Sequence, residues 1–244
     1  FNRLDARLFY SMWSPKYASN TIAGSTDYFR INDRLCISAE GRMFTDKPYH
    51  STSAQGISDG TTFTPSDLIL GAGVSVGITD ALTAGVKGRI VSSSIAEDAR
   101  GSAICGDLSL TYTLGAYSAT LAVRNLGSKI SYGGASYALP ALAALQGSLK
   151  PVKGLTIGVE ADYLFAGSLM AAAGAEYTLL DMVSLRAGYH YGNGDAALAS
   201  FASAGLGVNI KKVRLDATFL TGSKTLAKTM MFSCLRSMFP MLRC

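Results

Sequence analysis

The chain has 244 residues, 48% of them hydrophobic and only 16% charged, with a formal net charge of +5. Soluble domains usually carry about 25% charged residues, yet Gly, Ser, Thr or a charge breaks every apolar run well short of the roughly 20 residues a membrane helix needs; neither class fits. The basic residues are scattered without interleaved aromatics, which argues against nucleic acid as a partner, and Cys36, Cys105, Cys234 and Cys244 have no metal-ligand spacing and are too few for a disulfide framework in a chain this long.

What the chain does contain is strict alternation. Strands are predicted at 3–13, 20–30, 34–45, 66–78, 81–95, 102–114, 117–125, 141–150, 154–164, 168–178, 183–191, 201–210, 212–221 and from 228 onward. Leu68, Leu70, Ala72, Val74, Val76 and Ile78 share one face of the fourth, and Leu155, Ile157, Val159, Ala161 and Tyr163 one face of the ninth. The six prolines fall in connections or in the C-terminal tail, as a residue without an N–H must in a hydrogen-bonded ladder. Short connections are expected at Asn32-Asp33, Thr79-Asp80, Gly115-Ala116, Pro151-Val152-Lys153, Leu180-Asp181 and Lys211, and long ones over 46–65, 96–101, 126–140 and 192–200. An apolar face, a polar face and alternating short and long loops together describe a transmembrane antiparallel β-barrel of about 14 strands in the outer membrane of a Gram-negative bacterium, with short periplasmic turns and long extracellular loops.

The charges inside strands belong to the polar face, which in a barrel is the lumen: Glu40, Arg42, Lys87, Arg89, Asp107, Arg124, Glu160, Asp162, Glu176, Arg186, His190, Arg214 and Asp216. A cation facing lipid at mid-bilayer costs about 2 to 4 kcal/mol, so this segregation is what the membrane demands. Tyr10, Trp13, Tyr28, Tyr112, Tyr117, Tyr163, Tyr177 and Phe219 are placed for the two interfacial girdles. Glu160 and Asp162 invite an acid/base reading, but the charges are spread along the chain and nearly balanced in sign, which suits cross-lumen pairing better than catalysis. His50 and His190 are too few and too far apart to build a nucleophilic triad, and no cofactor or metal is expected. Gly71 to Gly77 and the GSKT at 222–225 lack the helix and residue order of phosphate loops.

The segment Asn125-Leu126-Gly127-Ser128-Lys129-Ile130-Ser131-Tyr132-Gly133-Gly134, with Tyr137, Leu139 and Pro140, resembles the PorV/PorQ family of Bacteroidetes outer-membrane proteins, distant relatives of the FadL fatty-acid channels. Further likeness comes from Ala173 to Tyr177, Leu185 to Tyr189 and Gly205 to Gly207, and runs from about Tyr10 to Gly222. The resemblance implies a non-enzymatic barrel embedded in outer-membrane lipid that serves type IX-like protein secretion or surface assembly. It would bind a protein partner, a secretion translocon or exported cargo, through its loops. The alternative is a FadL-like channel for a small hydrophobic ligand. The motif loop is expected to supply a rigid turn at Gly127, Gly133 and Gly134 with one cation, Lys129, and one aromatic, Tyr132. Residues 1–233 are expected to form the barrel, without the small-residue plug segment with which the family begins, and 234–244 an atypical tail that loses the alternation.

Overall fold

In a computed structural model, residues 3–13, 19–52, 55–193, 199–211, 213–222 and 229–237 are described. The first half of the wall is β1 (Arg3–Trp13), β2 (Asn20–Arg30), β3 (Leu35–Thr45), β6 (Ser66–Gly77), β7 (Leu82–Ala96), β8 (Ala99–Leu114) and β9 (Tyr117–Gly127). The second is β12 (Leu142–Leu149), β13 (Leu155–Leu164), β14 (Ser168–Leu179), β15 (Val183–Gly192), β16 (Phe201–Ile210), β17 (Val213–Gly222) and β18 (Thr229–Ser237). Each pairs antiparallel with its neighbours in chain order, and β18 closes on β1 through Arg7↔Ser237 to Trp13↔Met231. These fourteen strands form a closed barrel, so no edge of unpaired N–H and C=O groups faces lipid. β18 takes Cys234 to Ser237 into the ladder, residues that the loss of alternation assigns to a tail; backbone pairing to both β1 and β17 does not depend on which side chains alternate.

Two short hairpins sit in the long connections: β4 (Tyr49–Thr52) with β5 (Ser58–Phe63), and β10 (Ile130–Tyr132) with β11 (Ala135–Tyr137). They are too short for the ten-residue alternation to reveal. The expected long loop at 96–101 is instead a two-residue turn at Glu97-Asp98, because β7 and β8 continue pairing to Ala96↔Ala99. On the opposite end of the barrel, side chains shape the tight turns. Asn32 Oδ1 accepts hydrogen bonds from the amides of Arg34 and Leu35, and Thr79 Oγ1 from those of Ala81 and Leu82.

The two faces differ in the way a lipid-embedded wall requires. On β13, Ile157, Val159, Ala161 and Tyr163 are exposed while Gly158, Glu160 and Asp162 between them are partly buried. Val159 is 56% exposed, Ile104 65% and Leu121 57%, values that would be costly in water for a whole surface but are those of side chains in contact with acyl chains. Tyr112, Tyr117 and Tyr177 ring the tight-turn end of this face, and Tyr10, Tyr163, Tyr189 and Tyr191 the loop end.

Two expectations fail here. Tyr28 is opposite Asp5, a residue with no exposed surface, and the Arg7 guanidinium lies 6.0 Å above its ring; it therefore points into the lumen and not to a girdle. Asp27 and Arg100 break the segregation: Asp27 pairs with Ala6 and Ala39 on the lipid-facing register, where the Ser25 hydroxyl donates to it at 3.3 Å, and Arg100, opposite Ser94 at the loop end of β8, has the parity of the lipid-facing Ile104. Trp13 falls outside the residues whose side chains are described.

Candidate functional site

Glycines build the charged half of the lumen as much as charges do. Glu40 on β3 is 6% exposed and accepts from Lys87 at 3.2 Å and Arg42 at 3.1 Å, with Arg89 at 3.9 Å. Lys87 and Arg89 belong to β7, one strand beyond its neighbour β6, so the ion pairs must pass over the intervening strand. They do so above Gly71 and Gly73: a Cβ on Gly71 would lie 2.8 Å from Arg89 Cγ and 3.0 Å from Glu40 Cγ, and one on Gly73 2.9 Å from Ser38 Oγ. The glycine run that could be mistaken for a phosphate loop is the bed on which this network lies.

Arg89 continues the network to Asp107 on β8 and donates to Asn125 Oδ1 at 3.1 Å. At this point β8 and β9 lose one-to-one register between Gly106↔Leu126 and Leu108↔Val123, so Arg124 and Asn125 together oppose Asp107. Asn125 is the extra residue of a bulge, at φ 59°, a left-handed conformation that Asn tolerates better than most side chains. Asp107 Oδ1 accepts its amide at 2.9 Å, and its Nδ2 donates to the Pro140 carbonyl at 3.0 Å. The Asn of the motif thus redirects the chain out of the β9–β12 ladder.

Beyond the bulge the chain turns inward. Ile130 is 7% exposed, and a Cβ on the lumen-facing Gly101 of β8 would collide with Ser131 O and Ile130 Cγ1, so β10 rests on the inner wall at the barrel mouth. Gly133 and Gly134, at φ 54° and 95°, make the turn of its hairpin, with Tyr132 and Tyr137 6.2 Å apart. Leu126, Gly127 and Lys129 are exposed, and Gly127 is pressed against the backbone of Ile104 and Cys105.

A second network occupies the other half, near the tight turns. Arg186 on β15 bonds Glu176 on β14 and reaches Asp216 on β17 at 2.5 Å, while Arg214 contacts Glu176 at 2.7 Å and Asp216 at 3.2 Å. Two cations and two anions close on themselves. Nearer the loops, Arg124 meets Glu160 at 3.3 Å, and Gln146 donates to the same carboxylate at 2.7 Å. Asp162 and His190 join no ion pair among the described residues; Asp162 Oδ1 and His190 Nδ1 are buried without a hydrogen-bond partner, and the His190 ring stacks on Phe201 with centroids 5.0 Å apart.

Between these layers lies a cavity of about 650 Å³. The strand register explains it. Gly158, Gly174, Gly188 and Ser203 are mutual cross-strand partners and form one row around the inner wall of β13 to β16. The row toward the loops is Gln146, Glu160, Ala172, His190 and Phe201; the row toward the turns is Thr156, Glu176, Arg186, Gly205 and Thr218. Four adjacent strands with no side chain larger than Ser on one row leave space that larger residues would fill. A barrel of this size lies between those whose side chains fill the interior and those with an open aqueous channel.

The register therefore gathers the lumen charges into three groups: Glu40, Arg42, Lys87, Arg89 and Asp107; Arg124 and Glu160; and the ring of Glu176, Arg186, Arg214 and Asp216. Asp162 and His190 are left outside all three. Sequence reasoning missed Asp5, paired with Arg7 at 2.8 Å, although Leu4, Ala6, Leu8 and Tyr10 on the opposite face set its parity. It also missed the small-residue row, whose members lie one to a strand among larger inner-face residues such as Glu160, Glu176, Arg186 and His190 and line up only in register. Among the described residues no group of His, Cys, Asp and Glu is placed to hold a metal ion.

No family model matches the chain, and no curated protein does. Solved structures do. The CymD monoaromatic hydrocarbon channel superposes with a TM-score of 0.68 at 10% identity, covering 96% of this chain and 87% of that one. The toluene transporter TbuX of Ralstonia pickettii gives 0.64 at 13% identity over 97% and 88%. TodX, the toluene transporter of Pseudomonas putida, gives 0.60 at 13% identity over 97% and 87%. At such identities the likeness establishes the fold, that of a multi-pass β-barrel of the Gram-negative outer membrane.

Proposed function

We propose that the protein is an outer-membrane channel for small, largely apolar molecules, similar in working to the FadL-like channels. The observation that carries this reading is the 650 Å³ cavity, large enough for a ring-bearing molecule, floored by the Gly158–Gly174–Gly188–Ser203 row and bounded by polar layers that largely satisfy themselves. Its size falls within the range of small-molecule sites, and its floor offers backbone and small side chains to a flat ligand. The solved barrels it superposes on are named as hydrocarbon channels or toluene transporters, which supports the same reading. Support for a PorV/PorQ-like role in secretion comes from sequence likeness alone, the motif around Asn125 being its most specific part; in the barrel those residues make a bulge and a hairpin lying on the inner wall, which leaves Lys129 as the motif's exposed charge for meeting a protein.

The test is uptake by cells with an intact outer leaflet and no hydrocarbon channel of their own. Cells carrying the barrel should take up a radiolabelled monoaromatic such as toluene several-fold faster than cells without it. Gly158→Trp should remove most of that gain, since a Cβ at Gly158 meets nothing closer than Gly147 O at 3.9 Å and the indole can occupy the cavity without straining the wall. No gain from a correctly inserted barrel would end the channel reading.

A further inference from the structure

The lipid-facing side of the wall carries a groove of about 360 Å³ over β8, β9, β12 and β13. Tyr112, Ala119, Gly147 and Val159 are successive cross-strand partners on that face, so two small residues lie between two large ones. One row nearer the tight turns, Tyr117, Leu149 and Ile157 line the groove's turn-side end. Leu149 and Ile157 are in turn joined through Lys150-Pro151-Val152-Lys153-Gly154, which sets two exposed lysines directly beyond that end. The turns at Asn32-Asp33, Thr79-Asp80 and Leu180-Asp181 each carry a carboxylate, and this one carries none. Asp181 reaches Lys153 at 3.8 Å, but with the two side chains 80% and 90% exposed the pair is screened by water, and Lys150 has no ion-pair partner among the described residues.

From this juxtaposition we infer that the groove is a site for one anionic phospholipid of the periplasmic leaflet, with an acyl chain against Ala119 and Gly147 and the headgroup phosphate at Lys150 and Lys153. The groove opens to the hydrocarbon of the bilayer, so its occupant is what the bilayer supplies, an acyl chain. Tyr112 and Tyr117, 49% and 64% exposed, mark the level at which chains give way to headgroups. Gly147 is three residues from Lys150, about 10 Å along the strand, so a chain lying in the groove brings its headgroup to the turn. Charge then selects the headgroup: a phosphatidylcholine phosphate is already answered by its own ammonium, whereas phosphatidylglycerol brings the net negative charge that the two lysines lack. The site is on the outer wall, away from the cavity floor, and does not depend on the channel reading.

The experiment is native mass spectrometry of the detergent-solubilised barrel titrated with phosphatidylglycerol and phosphatidylcholine of identical chains, each variant first checked for heat-modifiable migration. The first phosphatidylglycerol should bind about 25-fold more tightly than the first phosphatidylcholine, about fivefold for each lysine near the headgroup. Lys150→Gln with Lys153→Gln should bring that ratio to near one, while Lys211→Gln, which removes a cation from a turn on the same rim without a groove, should leave it unchanged. Gly147→Leu should weaken both lipids by filling the groove, since a Cβ there meets only Val159 Cγ2, at 3.2 Å, the end of a side chain free to turn toward lipid; Ala119→Leu should do the same from the neighbouring strand. Excess glycerol 3-phosphate should not displace the lipid. Equal binding of the two lipids to the unaltered barrel, a preference that survives either the lysine pair or the groove substitutions, or displacement by glycerol 3-phosphate would each overturn the inference.

Discussion

Asp107 shows how much one lumen residue can carry. Its carboxylate takes the Arg89 guanidinium on one side and the Asn125 amide on the other, so it couples the charged half of the lumen to the bulge that releases the mouth hairpin. Removing it takes one acceptor from the Arg89 guanidinium, which keeps Asn125 Oδ1 and Glu40, and leaves the Asn125 N–H without one in a partly buried setting, at a cost of about 1 to 3 kcal/mol. Asp107→Ala should therefore lower the barrel's unfolding free energy by about 2 kcal/mol and raise protease sensitivity in 126–140, whereas Asp80→Ala should do neither; urea titration followed by heat-modifiable migration, with mapping of the cut sites, measures both. The sequence marks Asp107 only as a charge on the polar face. Its double duty depends on a bulge that no alternation pattern encodes, since Arg124 and Asn125 read as consecutive residues of one regular strand.

At the scale of the strand, the two faces of β13 give the sharpest contrast. Val159 is near the middle of the strand on the lipid side, and Val159→Arg should weaken assembly by about 2 to 4 kcal/mol. Thr156→Arg enters the lumen beside Glu176, its cross-strand partner, and should be far milder. Equal losses in a folding assay in lipid vesicles would reverse the assignment of faces. Strand positions are legible in the sequence because a one-residue slip would turn every side chain of a strand to the wrong medium; the loop hairpins are not, since β10 and β11 are three residues each and held by Gly133, Gly134 and contact with Gly101. The loop after β3 adds a dependence on pH. Burial alone would raise the Asp46 carboxyl, but the Tyr49 hydroxyl at 2.6 Å, the Ser19 and Lys47 amides at 2.9 and 2.7 Å, and the Lys47 charge outweigh it and hold its pKa below the usual value. With its folded-state pKa below the unfolded one, Asp46 contributes its full stabilisation at neutral pH and loses it as pH falls through the carboxylate range. Tyr49, whose pKa is raised first by that hydrogen bond, loses its contribution in the opposite direction, as pH rises through the phenol range. Amide exchange at Ser19 and Lys47, corrected for intrinsic rates, should be slow and level between about pH 5 and 9 and accelerate below about pH 4. A profile with no acid limb would show that Asp46 does not organise the loop.

For the whole molecule, closure and cavity are consequences of register. The alternation in the sequence implies a barrel of about fourteen strands, and the ladder joins fourteen, the last against the first. The lumen is divided, with charges crossing glycines on β6 in one half and a row of Gly and Ser without large side chains in the other. Charges and the Asn125 motif are what stand out in the sequence, and they point toward secretion. The space lies where side chains are absent, and absence on one face becomes visible only when four strands are set in register. The decisive measurement is a crystal of the barrel grown with a brominated monoaromatic such as bromobenzene. Anomalous scattering from bromine is expected inside the lumen, over the Gly158–Gly174–Gly188–Ser203 row and lost in Gly158→Trp; bromine found only against the lipid-facing side chains, with the cavity unoccupied at saturating ligand, would contradict the claim that this barrel holds and passes small molecules.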